Sequence, residues 1–411
     1  MYFDLQTPKS KPPFLKTPVP FSLAVFIVVL SALAAIWVVT EKEASVFQEI
    51  DSMKIVVNKY PNKVSSEEPV SMEKEKWHFV PGPISMDLIK KNGCVADGYL
   101  SGYGESNKEL TKMINRSECV YLHRALETWL RPPDFNDAEK IMEKVEKKPV
   151  VYGMFLAEAI STWRSYSDPN WDHDFEFEKM CRDGTEDHWE KNSCIPSTDK
   201  PEYRRYLKSI THRAMDIGIQ SFLFGQLQLQ DEHPNFNETE IRKVLNDMRK
   251  YAKEKKMQII IGAQTNDITD ERYLRLFDYI EGGVGIDSDG NIEDGACSSR
   301  FGNCWALLWN DRYSRIANDV LLHLDWSGMT WDDMGVFARM DQGKRIKTLR
   351  NLYQKFTSEN LGFMMPFLAV LNHENDGCYG PNKHFYAPSN KFKCKDEDAI
   401  NKILKQNFAS L

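Results

Sequence analysis

Short apolar runs alternate with amphipathic stretches along most of the chain. "CVADGYLSGYG" (94–104), "PVVYGMFLAEAI" (149–160), "IQSFLFGQLQL" (219–229), "MQIIIGAQT" (257–265), "YIEGGVGI" (279–286), "DVLLHLDWSG" (319–328) and "LGFMMPFLAVL" (361–371) each read as a strand. "WHFVPGPI" (77–84) offers one more. Between them, helical spacing marks 107–129, 136–147, 201–218, 237–256, 269–277, 305–318 and 341–360. The stretch 201–218 ends at Gly218, and 237–256 places acids early and bases late, as helix termini prefer. The strands are near-continuous apolar runs, as strands covered on both faces must be. Such alternation predicts an α/β protein with a parallel sheet, and the number of units fits a (β/α)8 TIM-type barrel with loop insertions. The alternative is an open doubly wound sheet, whose GxGxxG after the first strand is absent.

The N-terminus follows a different pattern. Residues 20–39, "PFSLAVFIVVLSALAAIWVV", carry no charge and are long enough to span a ~30 Å hydrocarbon core. Lys9, Lys11 and Lys16 precede this stretch, and Glu41 and Glu43 follow it. That bias predicts a cytoplasmic tail (1–19), a transmembrane signal anchor (20–39), a polar extracytoplasmic stalk (40–75) and a barrel domain (76–411) outside. The rival is a cleaved signal peptide, for which "SALAA" (31–35) supplies small residues. All eight cysteines fall in the exported part, and no CxxC occurs. Disulfides in an oxidising space are the economical expectation, with sequence neighbours paired: 94–119, 181–194, 297–304 and 378–394.

Polar side chains recur where the expected strands end. They are Glu158; Gln226 and Gln228, two apart and so on one strand face; Gln264, Asn266 and Asp267; Glu281 and Asp287; His323 and Asp325; and Asn372, His373 and Glu374. Alternate strand residues share a face, so His323 and Asp325 point one way and Leu322 and Leu324 the other. In a (β/α)8 barrel the strand ends gather at one mouth, where active sites form. Each residue also has a structural reading. Glu158 suits a helix cap, Glu281 a buried ion pair, Asp325 a loop cap, His323 a satisfied core histidine, and the glutamines inter-strand bonds.

The net charge of −7 disfavours nucleic acid as a partner. No GxSxG elbow, P-loop, HExxH or kinase signature occurs. In the loop 287–294, Asp287, Asp289, Asn291 and Glu293 alternate as calcium ligands can. "SDGN" within it is also an ordinary turn sequence. No other cofactor is suggested.

With its aromatic content of 12% and acids and amides at strand ends, the stretch 77–411 resembles the (β/α)8 glycoside hydrolases and their relatives. The resemblance implies a glycan as partner and a pair of carboxyl groups at the barrel mouth. Glu158 is the candidate acid/base, Asp325 its partner and Glu281 the reserve. Gln226, Gln228, Gln264, His323, Trp326 and Asn372 are candidate substrate contacts, with Trp163 and Trp171 as further stacking faces. A non-catalytic carbohydrate-binding or cell-envelope scaffold on the same barrel is the alternative.

Overall fold

The computed structural model describes residues 82–406, apart from 105–106, 163–165, 167–173, 234–235, 265–269, 294–313, 329–331 and 373. The expected anchor and stalk lie outside the described residues. So do Trp163, Trp171, Asn266, Asp267 and His373, and the expected helix at 305–318 in large part. Among the described residues no helix is long and apolar enough to cross a membrane.

Seven parallel strands pair in chain order: β1 (Gly93–Ala96), β2 (Tyr121–Glu127), β3 (Val151–Leu156), β4 (Ser221–Phe224), β5 (Ile260–Gln264), β6 (Tyr279–Gly283) and β7 (Val320–His323). Two short pieces, β8 (Gly362–Phe363) and β9 (Met365–Val370), are separated only by Met364 and form one continuous stave. Its first half pairs with β7, Gly362 opposite Leu321, and the Met364 N–H donates to the Leu322 carbonyl at 2.8 Å. Its second half pairs with β1, Cys94 opposite Met365. The sheet therefore closes on itself through eight parallel staves. An antiparallel strand, Phe385–Tyr386, is added alongside β9.

The eighth stave is not 77–84. Residues 82–85 are not strand, and 86–92 form a helix. The missing strand is β2, inside the stretch 107–129 that sequence spacing assigns to helix; the helix there ends at Arg116. The expected strand 219–229 is also shorter: β4 stops at Phe224, and Leu227–Gln230 is a helical turn. Gln226 and Gln228 therefore do not share a strand face.

Helices α1 (Met86–Asn92), α2 (Asn107–Arg116), α3 (Phe135–Met142), α4 (Pro201–Asp216), α5 (Glu238–Glu254), α6 (Asp333–Arg339), α7 (Gln342–Ser358) and α8 (Glu397–Lys405) accompany the strands. Their starts follow from capping chemistry: Asn237 Oδ1 accepts the Thr239 N–H at 3.1 Å, and Asp341 Oδ1 accepts the Lys344 N–H at 2.8 Å. In α5, Ile241, Val244, Leu245, Met248 and Ala252 are buried, a stripe at helical spacing.

Strand residues sort by parity into two buried apolar clusters. Leu122, Met154, Phe222, Ile261, Ile280, Leu322 and Leu324 belong to the layer that also holds the helix side chains. Val95, Tyr121, Val151, Leu223, Ile260, Tyr279, Leu321 and Met364 form the second cluster, inside the ring, together with Ile84 and Ile89 from the segment before β1. The fit inside is close: a Cβ at Gly262 would stand 2.2 Å from the Tyr279 ring. Disulfides link Cys94–Cys119, Cys181–Cys194 and Cys378–Cys394, all neighbours in sequence. The expected 297–304 pair lies outside the described residues.

Candidate active site at the barrel mouth

Along the interior faces, apolar residues give way to polar ones toward the C-terminal strand ends. Two residues after Val95 comes Asp97, after Tyr121 His123, after Tyr279 Glu281, and after Leu321 first His323 and then Asp325. All five polar residues are buried. Period-two geometry thus stacks a polar storey above an apolar floor.

Glu281 stands at the centre of this storey. Its Oε1 lies 2.6 Å from His323 Nε2 and 3.3 Å from His123 Nε2, and all three side chains are essentially inaccessible to water. The shorter contact acts on His323 chiefly through the charge of Glu281. His323 Nδ1 faces the Leu324 carbonyl at 3.0 Å and must donate to it, because a carbonyl only accepts. Burial disfavours charge on His323, but Glu281 overrides it and holds the imidazole above its usual value. Burial likewise pushes Glu281 up, yet the two histidines win and hold its carboxyl below the usual range. His123 is held lower by burial, and its Nδ1 takes part in a 2.8 Å bond with the Tyr121 hydroxyl, which also meets Ser221 Oγ at 2.9 Å. The arrangement is therefore an anionic glutamate between one cationic and one neutral histidine.

Asp325 follows directly on β7 and is 8% exposed. Burial first, then Asp333, Asp332 and Glu281, push its carboxyl up to about 8 against the opposing pull of His323. Asp333 organises the surroundings by accepting backbone N–H bonds from Gly285, Ile286 and Asp325 at 3.1–3.3 Å. Asp332 caps α6, and burial pushes it up to about 6.

Glu158 lies two residues beyond β3 and is 2% exposed. Gln226 Nε2 donates to its Oε1 at 2.8 Å, and the Gln226 N–H reaches Oε2 at 3.3 Å. Burial raises its carboxyl more than these bonds and the Arg124 charge lower it. Trp189 Nε1 donates to the Glu158 carbonyl at 3.0 Å, and its ring packs 5.1 Å from that of Trp129. Both indoles are partly exposed.

Arg124 joins the two sides of the mouth. It sits where the β2–β3 register shifts, with φ +53°. Its Nε donates to Glu127 Oε1 at 2.9 Å and lies 3.6 Å from Asp97 Oδ1. Its guanidinium stacks over Phe155 at 3.7 Å and over Trp326 at 4.7 Å, and the Trp326 Nε1 donates to Asp97 Oδ2 at 2.9 Å. Trp326 also packs 4.7 Å from the His323 ring.

The remaining candidates are less central. Gln264 is buried at the end of β5, level with Glu281 on β6. Gln228 is in the helical turn after β4, and among the described residues its Oε1 has no hydrogen-bond partner. Asn372 Oδ1 accepts the Glu374 N–H at 2.8 Å, a turn-forming bond. In the loop 287–293, Asp287 Oδ1 accepts the N–H groups of Asp289 and Asn291 at 2.9 Å, and Asp289 pairs with Lys344 at 3.0 Å. Among the described residues, the group with metal-ligand spacing is instead Asp199, Asp231 and His233. Its carboxylates accept backbone N–H bonds from Glu232, His233 and Asn237, and His233 Nδ1 is bound to Asp231 at 2.9 Å.

Sequence spacing misses Asp97, His123, Arg124, Glu127, Trp129, Trp189 and Asp333. The first was readable as a polar residue two after Val95. Four of the others lie in β2 and just after it, where the spacing predicts helix.

No family model matches the sequence, and neither does any curated protein. Glycoside hydrolases are among its structural neighbours. A GH27 β-L-arabinopyranosidase from Geobacillus stearothermophilus aligns at 10% identity over 47% of this chain and 54% of that one, with TM-score 0.29. The chain thus spans about half of that enzyme's length. A cyclic α-maltosyl-(1→6)-maltose hydrolase from Arthrobacter globiformis aligns at 13% identity over 77% and 76%, with TM-score 0.43. A debranching enzyme from Nostoc punctiforme aligns at 10% over 75% and 71%, with TM-score 0.43. At these scores the likeness bears on no residue's role.

Proposed function

We propose that the barrel mouth is an acid–base site that cleaves a glycosidic bond, with Asp325 and Glu158 as its two carboxyl groups. The observation that carries this reading is Asp325, a mouth carboxyl beside the charged His323–Glu281 pair that keeps its proton near neutral pH. A proton donor in glycoside hydrolysis needs that property. Glu158 is the second group, on a stave four places from β7 either way round the ring. Gln226 fixes its orientation. Glu281, shut off from water, acts as the positioning anion rather than as a group that meets the sugar. Trp129, Trp189 and Trp326 supply partly exposed aromatic surface for stacking on sugar faces. The test is reducing-end release from a panel of oligosaccharides and polysaccharides by the folded chain and by Asp325→Asn and Glu158→Gln. The expected result is release by the wild type alone. No release from any glycan overturns hydrolysis. Glycan binding that survives both substitutions favours instead a non-catalytic binding scaffold, the reading that the pairing of Asp97 and Glu127 with Arg124 supports.

We also infer that residues 20–39 hold this domain on the outer side of a membrane as a single span, from their uncharged composition and flanking charges. Protease added to intact cells should then digest the barrel domain. Protection until lysis overturns that orientation.

A further inference from the structure

Arg124 is built unlike the other cations described at the surface of this protein. Its side chain is 12% exposed, and its backbone adopts a left-handed φ of +53° in the middle of a strand. For a non-glycine residue that conformation is held only where the surroundings impose it. The register shift between Leu122 and Leu126 is the imposing feature, since it breaks the pleat at this residue.

The side chain is equally constrained. Its guanidinium lies over the rings of Phe155 and Trp326, at 3.7 and 4.7 Å. Trp326 is itself tethered through its indole N–H to Asp97. Among the described residues the side-chain polar contacts of Arg124 run through Nε, to Glu127 and to Asp97. The two terminal nitrogens have no hydrogen-bond acceptor among the described residues. They form a planar pair of donors held against two aromatic rings and by the Nε bond to Glu127. Arg124 acts electrostatically on Glu158 and exchanges charge interactions with Glu281, so it stands among the carboxyl groups of the mouth.

We propose, building on the hydrolase reading above, that this fork recognises the carboxylate of an acidic sugar, so that the glycan taken by the mouth contains uronic acid residues. A carboxylate is planar and presents two acceptor oxygens at the spacing of a guanidinium fork. In-plane approach is the geometry of a bidentate guanidinium–carboxylate pair. The surrounding charges do not forbid it. Glu127 is fully buried, and burial pushes its carboxyl well above the usual range despite Arg124. The His323 cation offsets Glu281. The neighbouring Trp129 and Trp189 rings are placed for the sugar's apolar face.

The test is binding of D-glucuronate and D-galacturonate, each against its neutral counterpart, D-glucose or D-galactose, with D-glucose 6-sulfate as a second anion. Saturation-transfer NMR and ligand-dependent melting of the whole folded chain are the readouts. The wild type should prefer each uronate by about tenfold or more, the worth of one charge-assisted contact. Arg124→Lys keeps the charge and loses the fork, and it should lose most of that preference while melting close to the wild type. Arg124→Met should abolish the preference. Equal binding of neutral and acidic sugars, no binding of any, tighter binding of the sulfate, or an unchanged preference in Arg124→Lys each overturns the proposal. The two readings fail separately. Cleavage of neutral glycans without uronate preference sinks only the carboxylate fork. Uronate preference without any glycan cleavage keeps the fork and sinks hydrolysis.

Discussion

His323 Nε2 lies 2.6 Å from Glu281 Oε1 on adjacent staves, with both side chains essentially removed from water. Removing one member of such a pair strands the other, at a typical cost of ~3–5 kcal/mol. Glu281→Gln should lower unfolding stability by about that amount. The pH dependence has a definite sign. Glu281 is depressed in the fold, so its contribution is complete above its ordinary value of 4.5 and is lost as pH falls through the folded value. His323 is raised, so its contribution is complete below 6.5 and is lost as pH rises through the folded value. The stability gap between wild type and Glu281→Gln in urea should therefore be widest between these two values. A gap that does not change with pH would exclude the ionic account of the pair.

Asp325 has the opposite effect on stability. Its carboxyl ionises near 8 in the fold and at 3.8 when unperturbed. The folded state thus binds the proton more tightly, and stability falls as pH rises between those values. Asp325→Asn should be more stable than the wild type at pH 7, by at most ~4 kcal/mol, because the amide removes that cost. It should also lose glycan cleavage by ~10²-fold or more, as expected for a missing proton donor. Thermal melts at pH 5 and pH 7 check the first claim. Equal stability of the two proteins at both pH values would contradict it.

Wild-type cleavage should decline above about pH 8 as Asp325 gives up its proton. A pH–rate profile flat from 6 to 9.5 would assign the proton to another group.

Gly225 separates packing from chemistry. A Cβ there would fall 2.0 Å from Glu158 Oε2. The carboxyl is the end of a flexible side chain and can swing away, so Gly225→Ala should cost only ~1–2 kcal/mol of stability, in the range of mild overpacking. It should nevertheless lower cleavage by ~10²-fold, the usual consequence of misplacing a reacting group. Activity at the wild-type level with a displaced Glu158 would remove that residue from the reaction.

The Cys94–Cys119 bridge ties β1 to the approach to β2 across a separation of 25 residues. Replacing both cysteines by serine should lower stability by ~3 kcal/mol, the scale for a loop of that length. Denaturant midpoints under non-reducing conditions give the comparison.

Seven of the eight parallel staves are legible as apolar runs, since burial on both faces leaves few other residue types available. The strand at 319–328 is also legible in detail: Leu322 and Leu324 join the helix-facing layer while Leu321 and His323 face inward. The second strand was illegible for a physical reason. The register shift at Arg124 places Leu122, Ala125 and Leu126 together in the helix-facing layer. That spacing imitates a helical stripe, and it follows a real helix with no glycine or proline between. The same local break conceals His123 and Arg124, whereas Glu158, Glu281 and Asp325 at other strand ends are legible. Gln226 was found for the wrong reason: its role comes from the bend after β4, which turns its amide onto Glu158.

The ring is sealed by its first and last staves, residues 94–96 against 365–368. Until residues 362–370 have been made, β1 and β7 both present bare edges, and Asp97 has no Trp326-bearing wall held opposite it. Contacts of such sequence separation form late and slowly. A chain released before residue 362 would therefore keep most of its strands and two of its described disulfides, yet lack a closed mouth. The site is in this sense assembled by the stave 362–370, which carries none of its acids.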